Sequence, residues 1–155
     1  MAKKKTPVSC DWKARPAEGS KKKAGDKGKL FKHKGSFTWQ GVKTERYKAP
    51  GEDWSDIKRM VLVGDHNASA RFHLRYFEIM PGGFSSLETH RHEHVVVCVR
   101  GKGRVRMGRK THEVGFMDTI YIPPDAVHQL RNPFDEPFGF LCIVNAKRDR
   151  PRLIV

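Results

Sequence analysis

The chain has 155 residues, 37% of them apolar, a formal charge of +14 and a pI near 10.0. That length and apolar content supply one compact core but scarcely two, and no apolar run reaches signal-peptide or membrane-spanning length, so a soluble protein without Sec export is expected. The charge would point to nucleic acid or an anionic surface if the folded part carried it, yet residues 1–35 hold twelve Lys or Arg against three Asp or Glu, so most of the surplus lies in a leader.

In chain order, that leader comes first. "MAKKK" and "PAEGSKKKAGDKGK" contain almost no branched apolar residues and cannot bury enough surface to offset the entropy of ordering, so residues 1–35 are expected to be a disordered Lys-rich tail. At most it makes a weak, salt-sensitive contact with nucleic acid, because it lacks interleaved aromatics or any reading module. Residues 36–155 form the expected folded domain. It opens with "GSFTWQGVKTERYKAPGEDWSDIKRM", an irregular arm anchored by Trp39, Tyr47 and Trp54 that crosses a barrel or a partner subunit. Strand signals then recur at short spacing: "RMVLVG", "RFHLRYFEIM", "HVVVCVR", "RVRMG", "KTHEV", "TIYIPP", "VHQL" and "FGFLCIVN", each bounded by turn residues. Eight or nine short strands without a convincing helix predict an all-β antiparallel sandwich or barrel. Cys10, Cys98 and Cys142 are odd in number and far apart, which fits reduced thiols in the cytoplasm better than a disulfide framework.

After the second of these strands, and running through the third, comes "LETHRHEHVVVCVRGKG", Leu87 to Gly103. Side chains two apart on a strand share a face, their α-carbons roughly 6.5 to 7 Å apart, so Glu88 and His90 can reach one ion. Arg91, His92 and Glu93 read as a hairpin tip, and His94 as the start of the next strand, opposite the first pair. Further on, "GFMDTIYIPPDAVHQLRN" runs a strand into Pro123 and Pro124 and returns His128 toward the same cavity. Taken singly, each of these histidines suits a solvated edge strand; four donor groups in two segments point to a metal instead. His73 and His112 lack such company.

These two segments resemble the cupin family. Its first motif, G-x5-H-x-H-x3-4-E-x6-G, can be laid on Gly82, Glu88, His90, His94 and Gly101, with the acid and one imidazole exchanged. Its second, G-x5-P-x-G-x2-H-x3-N, falls on Met117, Pro123, Asp125, His128 and Asn132, with two glycines replaced. A rival register takes His90 and His92 as the H-x-H pair but puts Val96 at the acidic position. The resemblance implies a single double-stranded β-helix, the jelly-roll barrel, and one divalent transition metal held by Glu88, His90, His94 and His128, with His92 as alternative ligand. Such a nitrogen-rich set suits Mn, Fe, Co, Ni or Zn rather than Mg or Ca.

The longer runs "LRYFEIMPGGFSSLETHRHEHVVVCVRGKGRV", "PPDAVHQLRN" and "FGFLCIVNAKRDRP" resemble a narrower group of small bacterial cupins, the one that includes methylthio-xylulose 5-phosphate methylsulfurylases. That likeness implies a Mn centre, Lewis-acid chemistry on a small oxygenated metabolite such as a phosphorylated ketose, removal of a methylthio group with help from a thiol, and a homodimer. Cys98 shares inward parity with His94 and is the candidate catalytic thiol, or else a small core residue; Cys142 reads as core first, with lining of the site as the alternative. One of Arg75, Arg100, Arg104 and Arg106 is expected to hold a phosphate, while Tyr121 and Gln129 either bond a substrate or pack the barrel. A non-catalytic metal- or metabolite-binding cupin and an Fe-dependent dioxygenase are the alternatives.

Overall fold

A computed structural model describes residues 28–49, 51, 53–67 and 71–154. Among them are eleven strands and no helix: β1 (Thr44–Arg46), β2 (Ser55–Val63), β3 (Phe72–Phe84), β4 (Glu88–Thr89), β5 (His94–Arg100), β6 (Gly103–Met107), β7 (Lys110–Val114), β8 (Thr119–Ile122), β9 (His128–Arg131), β10 (Phe138–Asn145) and β11 (Arg152–Leu153). All pairings are antiparallel. A larger half runs β1-β2-β3-β10-β5-β8 and a smaller half β11-β4-β9-β6-β7. The two are joined where Phe84, at the end of β3, pairs with Arg131 of β9. One continuous sheet therefore curls back on itself, as the all-β jelly-roll reading requires.

The alternation along β3 positions everything that follows. Arg75 and Phe77 turn toward the barrel interior, while Tyr76 and Glu78 turn outward. Near its end the strand bends at Gly82, whose φ of +80° is open to glycine without strain. Asn132 fastens the bend: its backbone exchanges hydrogen bonds with Gly82 and Gly83, and its Nδ2 donates to the carbonyls of Ile79 and Glu136, both at 2.8 Å. The interior is filled by Ile79, Val96, Cys98, Val105, Ile122 and Phe138, all almost wholly buried. The Phe138 ring occupies the space that any side chain at position 103 would need.

Two positions where the resembled motif carries glycine have φ values that explain the glycine. Met117 (+69°) and Asp125 (+61°) both adopt the left-handed conformation, so the turns are kept although the favoured residue is not.

One expectation is corrected here. Arg91–Glu93 is not a hairpin tip, because the strands on either side do not pair with each other: β4 pairs with β9 and β11, and β5 with β10 and β8. The segment is a corner at which the chain crosses from the smaller half to the larger, and His90 and His94 meet through the barrel's curl.

The tail expected over residues 1–35 falls largely on residues 1–27, which lie outside the described residues. Of the remainder, Lys32 to Gly35 are tied to the arm that follows. His33 bridges Trp39, and Gln40 N–H donates to the Lys32 carbonyl. The arm then lies on the outer face of the larger half. Phe37 stacks on Tyr76 at 5.5 Å with 8° between planes, and Trp39 meets the same ring at 5.2 Å. Beneath them Tyr76 donates to Glu78, which also pairs with Arg100. Farther along, Tyr47 packs edge-on against Trp54 and Phe77 and carries the arm to the open end of the barrel.

Candidate metal centre

His90 follows β4, His94 opens β5 and His128 opens β9. One ring nitrogen from each lies within 4.8 Å of the others, and the ring centroids are 4.8 to 5.1 Å apart. The outer nitrogens fix the tautomers. His90 Nδ1 donates to the His92 carbonyl at 2.7 Å and His128 Nδ1 to the Ala126 carbonyl at 2.9 Å. A carbonyl oxygen can only accept, so each Nδ1 carries the proton and each Nε2 keeps a free lone pair. His94 Nε2 is buried without a hydrogen-bond partner among the described residues.

Burial also sets the charge. It holds His90 and His128 below the ordinary histidine pKa, and burial with neighbouring His128 and His90 lowers His94 to about 2. All three rings are therefore neutral at pH 7, the form that ligates metal. Three convergent neutral imidazoles, one with an orphaned lone pair, fit a divalent transition ion.

Glu88 stands on the cavity wall beside this trio, directly across the β4–β9 ladder from His128. Lys48 of the arm donates to its carboxylate and, at 2.8 Å, to Ser86 Oγ. The group of mutually close donors thus holds three of the four expected ligands, and the carboxylate is engaged by an ammonium. His92 lies flat on His90, centroids 3.6 Å apart, with its Nδ1 donating at 2.8 Å to Asp149. Asp149 also accepts the backbone N–H groups of Arg91 and His92, which hold its carboxyl well below the usual range. This carboxylate, reaching in from the segment after β10, clamps the corner that carries His90.

The cavity above the imidazoles has a volume of about 210 Å³ and a cationic wall made by Lys48, Arg59, Arg75 and Arg148. Arg75 lies 5.1 Å over the Phe77 ring, and its Nε, like that of Arg59, is buried without a partner among the described residues. Arg148 Nη1 sits 3.1 Å from His73 Nδ1 and donates to the Asn145 carbonyl. Of the four arginines expected to hold a phosphate, only Arg75 lines this cavity. Arg100 is paired with Glu78 on the outer face, and Arg104 and Arg106 line a separate cleft together with Gln129. Tyr121 is exposed and donates to Glu93.

The cavity thiol also differs from expectation. Cys98 is fully buried in the core, outside the cavity lining, and burial pushes its thiol up to about 11. Two residues beyond Val96, parity carries its sulfur past the cavity floor. The thiol that lines the cavity is Cys142 on the neighbouring strand β10, whose Sγ lies 3.4 Å from His94 Nδ1 and accepts from Arg75 Nη2 at 3.2 Å. Sequence reasoning missed Lys48, Arg59 and Arg148 as wall residues. Arg59 alternates with Ile57 and Val61 on β2, an inward parity that could have flagged it; nothing comparable marks the other two.

The profile of the cupin domain matches residues 75–144 of the chain. A Rhodospirillum rubrum protein described as 1-methylthio-D-xylulose 5-phosphate methylsulfurylase is 42% identical over 118 residues, covering 76% of this chain and 74% of that one. A cupin-2 domain crystal structure from the same organism superposes with a TM-score of 0.71 at 40% identity over 77% of this chain and 79% of that chain. A cupin 2 conserved barrel protein of Rhodopseudomonas palustris superposes with 0.75 at 38% identity over 82% and 87%.

Proposed function

The chain belongs to the cupin domain family, and from that premise we propose that it is a metal-dependent enzyme acting on a small, oxygenated, anionic metabolite. The observation that carries this reading is the adjacency of two groups in one cavity: the neutral trihistidine cluster, and a thiol that contacts its His94 and accepts from the Arg75 guanidinium. A divalent ion held by His90, His94 and His128 supplies Lewis acidity toward a carbonyl oxygen. Manganese is the ion we assign first; iron, cobalt, nickel and zinc suit the same donors. Glu88 completes the shell if Lys48 releases it.

The remaining roles fall to the chain's own side chains. Arg59, Arg75 and Arg148 bind the anionic end of the substrate, their planar forks suiting phosphate. Phe77 and Phe140 exclude water from the cavity floor. Lys48 and Glu88 form an ion pair at the wall.

The name of the Rhodospirillum rubrum relative supports a finer assignment, a phosphorylated ketose that loses a methylthio group. In that reaction Cys142 Sγ takes the methylthio sulfur. The new sulfur–sulfur bond replaces the carbon–sulfur bond, the electron pair passes to the carbonyl as an enolate, a proton closes the deoxy carbon, and an external thiol returns Cys142 to its reduced form. The two described cysteines are free, and we place the chain in a reducing cytoplasm.

The test is elemental analysis of purified protein alongside turnover of 1-methylthio ketose phosphates. Wild type should hold close to one transition-metal equivalent, and His94→Ala should lose most of it. Metal held equally by both proteins removes the centre. Metal without turnover leaves a binding protein, and oxygen consumption by the iron-loaded form turns the reading to a dioxygenase.

A further inference from the structure

β6 and β9 lie side by side in the smaller half, where their inward residues Val105 and Leu130 join the core. The alternate residues face outward in two rows. In one, Arg131 of β9, Arg104 of β6 and Glu113 of β7 stand directly across from one another; in the next, Gln129, Arg106 and Thr111 do so. The rows are roughly 6.5 to 7 Å apart. The three arginines, Thr111 and Gln129 line a cleft of about 560 Å³ that takes in the bend at Gly82 and Gly83. A β-carbon on Gly82 would meet nothing within 4 Å, so the cleft is unobstructed there.

Three guanidinium groups against one carboxylate leave these rows a surplus of two positive charges, and like charges directly opposite on a sheet are destabilising. The chain itself does not offset this. Among the described residues none of the three arginines forms a salt bridge, with Glu113 or with any other acid. Each is held by a neutral group instead. Arg104 lies over the Phe134 ring at 5.7 Å, Arg131 over Phe84 at 5.6 Å, and Arg106 Nε donates to the Gly108 carbonyl at 2.9 Å. These contacts orient the planar forks and leave their other N–H donors to an acceptor from outside the chain.

We propose that this cleft is a binding site for a small bisphosphate, with one phosphate between Arg104 and Arg131 and the other on Arg106 and the Thr111 hydroxyl. Guanidinium forks match phosphate oxygens in pairs. The spacing of the rows calls for two anionic groups rather than one, and a bounded cleft suits a small molecule better than a polymer. The site stands apart from the metal cavity. Along β9, Gln129 and Arg131 alternate with His128 and Leu130, so the cleft and the trihistidine cluster occupy opposite faces of one strand.

Calorimetric titration of the full-length chain with propane-1,3-diol bisphosphate should show saturable binding that survives Arg75→Met in the cavity wall. The double variant Arg104→Gln, Arg131→Gln should weaken it by about tenfold or more, with metal content unchanged. Propyl phosphate, which can fill only one row, should bind about tenfold more weakly than the bisphosphate. Should the double variant fail to fold, the exposed Arg106→Gln decides, with a loss of the same order. Binding lost in Arg75→Met and kept in the arginine variants puts the anion in the cavity and overturns the proposal. So does a wild type that binds no bisphosphate, or that binds propyl phosphate as tightly. An oligothymidylate that binds more tightly than the bisphosphate through the same arginines assigns the face to nucleic acid instead.

Discussion

Cys142 Sγ lies 3.4 Å from His94 Nδ1, so the thiol that lines the cavity contacts the imidazole whose other nitrogen faces the metal centre. If Cys142 takes part in chemistry, Cys142→Ser should lower kcat by about a hundredfold or more while metal content stays near wild type. Cys98→Ser should do the opposite. It buries a hydroxyl in an apolar core, costing about 1–3 kcal/mol of stability, and leaves kcat within a few-fold.

The cationic wall is expected to act on binding. Arg75→Met removes the guanidinium but keeps much of the side-chain volume over Phe77. KM for a phosphorylated ketose should rise by about tenfold or more, with a smaller change for an unphosphorylated analogue. Arg75→Lys should restore little, because a point charge does not reproduce the fork. Steady-state kinetics on the substrate pair read this directly.

Metal-stripped protein should lose stability in acid. His90, His94 and His128 have folded-state pKa values below the ordinary 6.5, so above that pH neither folded nor unfolded chain is protonated there. As pH falls through 6.5 the unfolded chain takes up protons that the folded cluster refuses, and their contribution is lost progressively toward each folded value. Tm should fall steadily from pH 7.5 to 5, and His94→Asn should flatten the profile. Calorimetry at constant ionic strength measures both.

Asp149 should matter at a distance from any reacting atom. Its carboxylate holds two backbone N–H groups and the His92 ring, which in turn lies flat on His90. Asp149→Ala should speed hydrogen exchange at the Arg91 and His92 amides and weaken metal binding by about tenfold. Asp149→Asn keeps one acceptor oxygen and should recover part of both.

Met117 carries its left-handed φ on an exposed side chain. Met117→Gly relieves that conformation and should raise stability by about 1 kcal/mol. Gly101→Ala should be destabilising, since a β-carbon at that left-handed position would press on the Pro137 carbonyl. Denaturant midpoints of the two variants should move in opposite directions.

Much of this fold can be read from period-two alternation alone. β5, β8 and β10 follow the apolar runs "HVVVCVR", "TIYI" and "FGFLCIVN", and the histidines sit where those runs begin or turn. What alternation does not supply is which strand lies beside which. The Arg91–Glu93 corner looks like a hairpin until β4 is seen to pair with β9. Cys98 shares a face with His94, but it is Cys142 that reaches that ring, because β10 pairs with β5 so that Val144 faces His94 and Cys142 faces Val96. Lys48 and Arg148 escape any periodic rule, since both lie in irregular segments whose place is set by Tyr47 packing and by the contact with His73.

The three imidazoles come from strand ends that become neighbours only when the sheet has finished curling. A chain in which β9 has not yet joined β3 and β4 offers no trihistidine face, so an ion should have little to grip before the rate-limiting step of folding and a great deal afterward. Metal would then act as a brake on opening rather than an aid to assembly: refolding traces with and without the ion should overlay, while the holo protein escapes its native state many times more slowly.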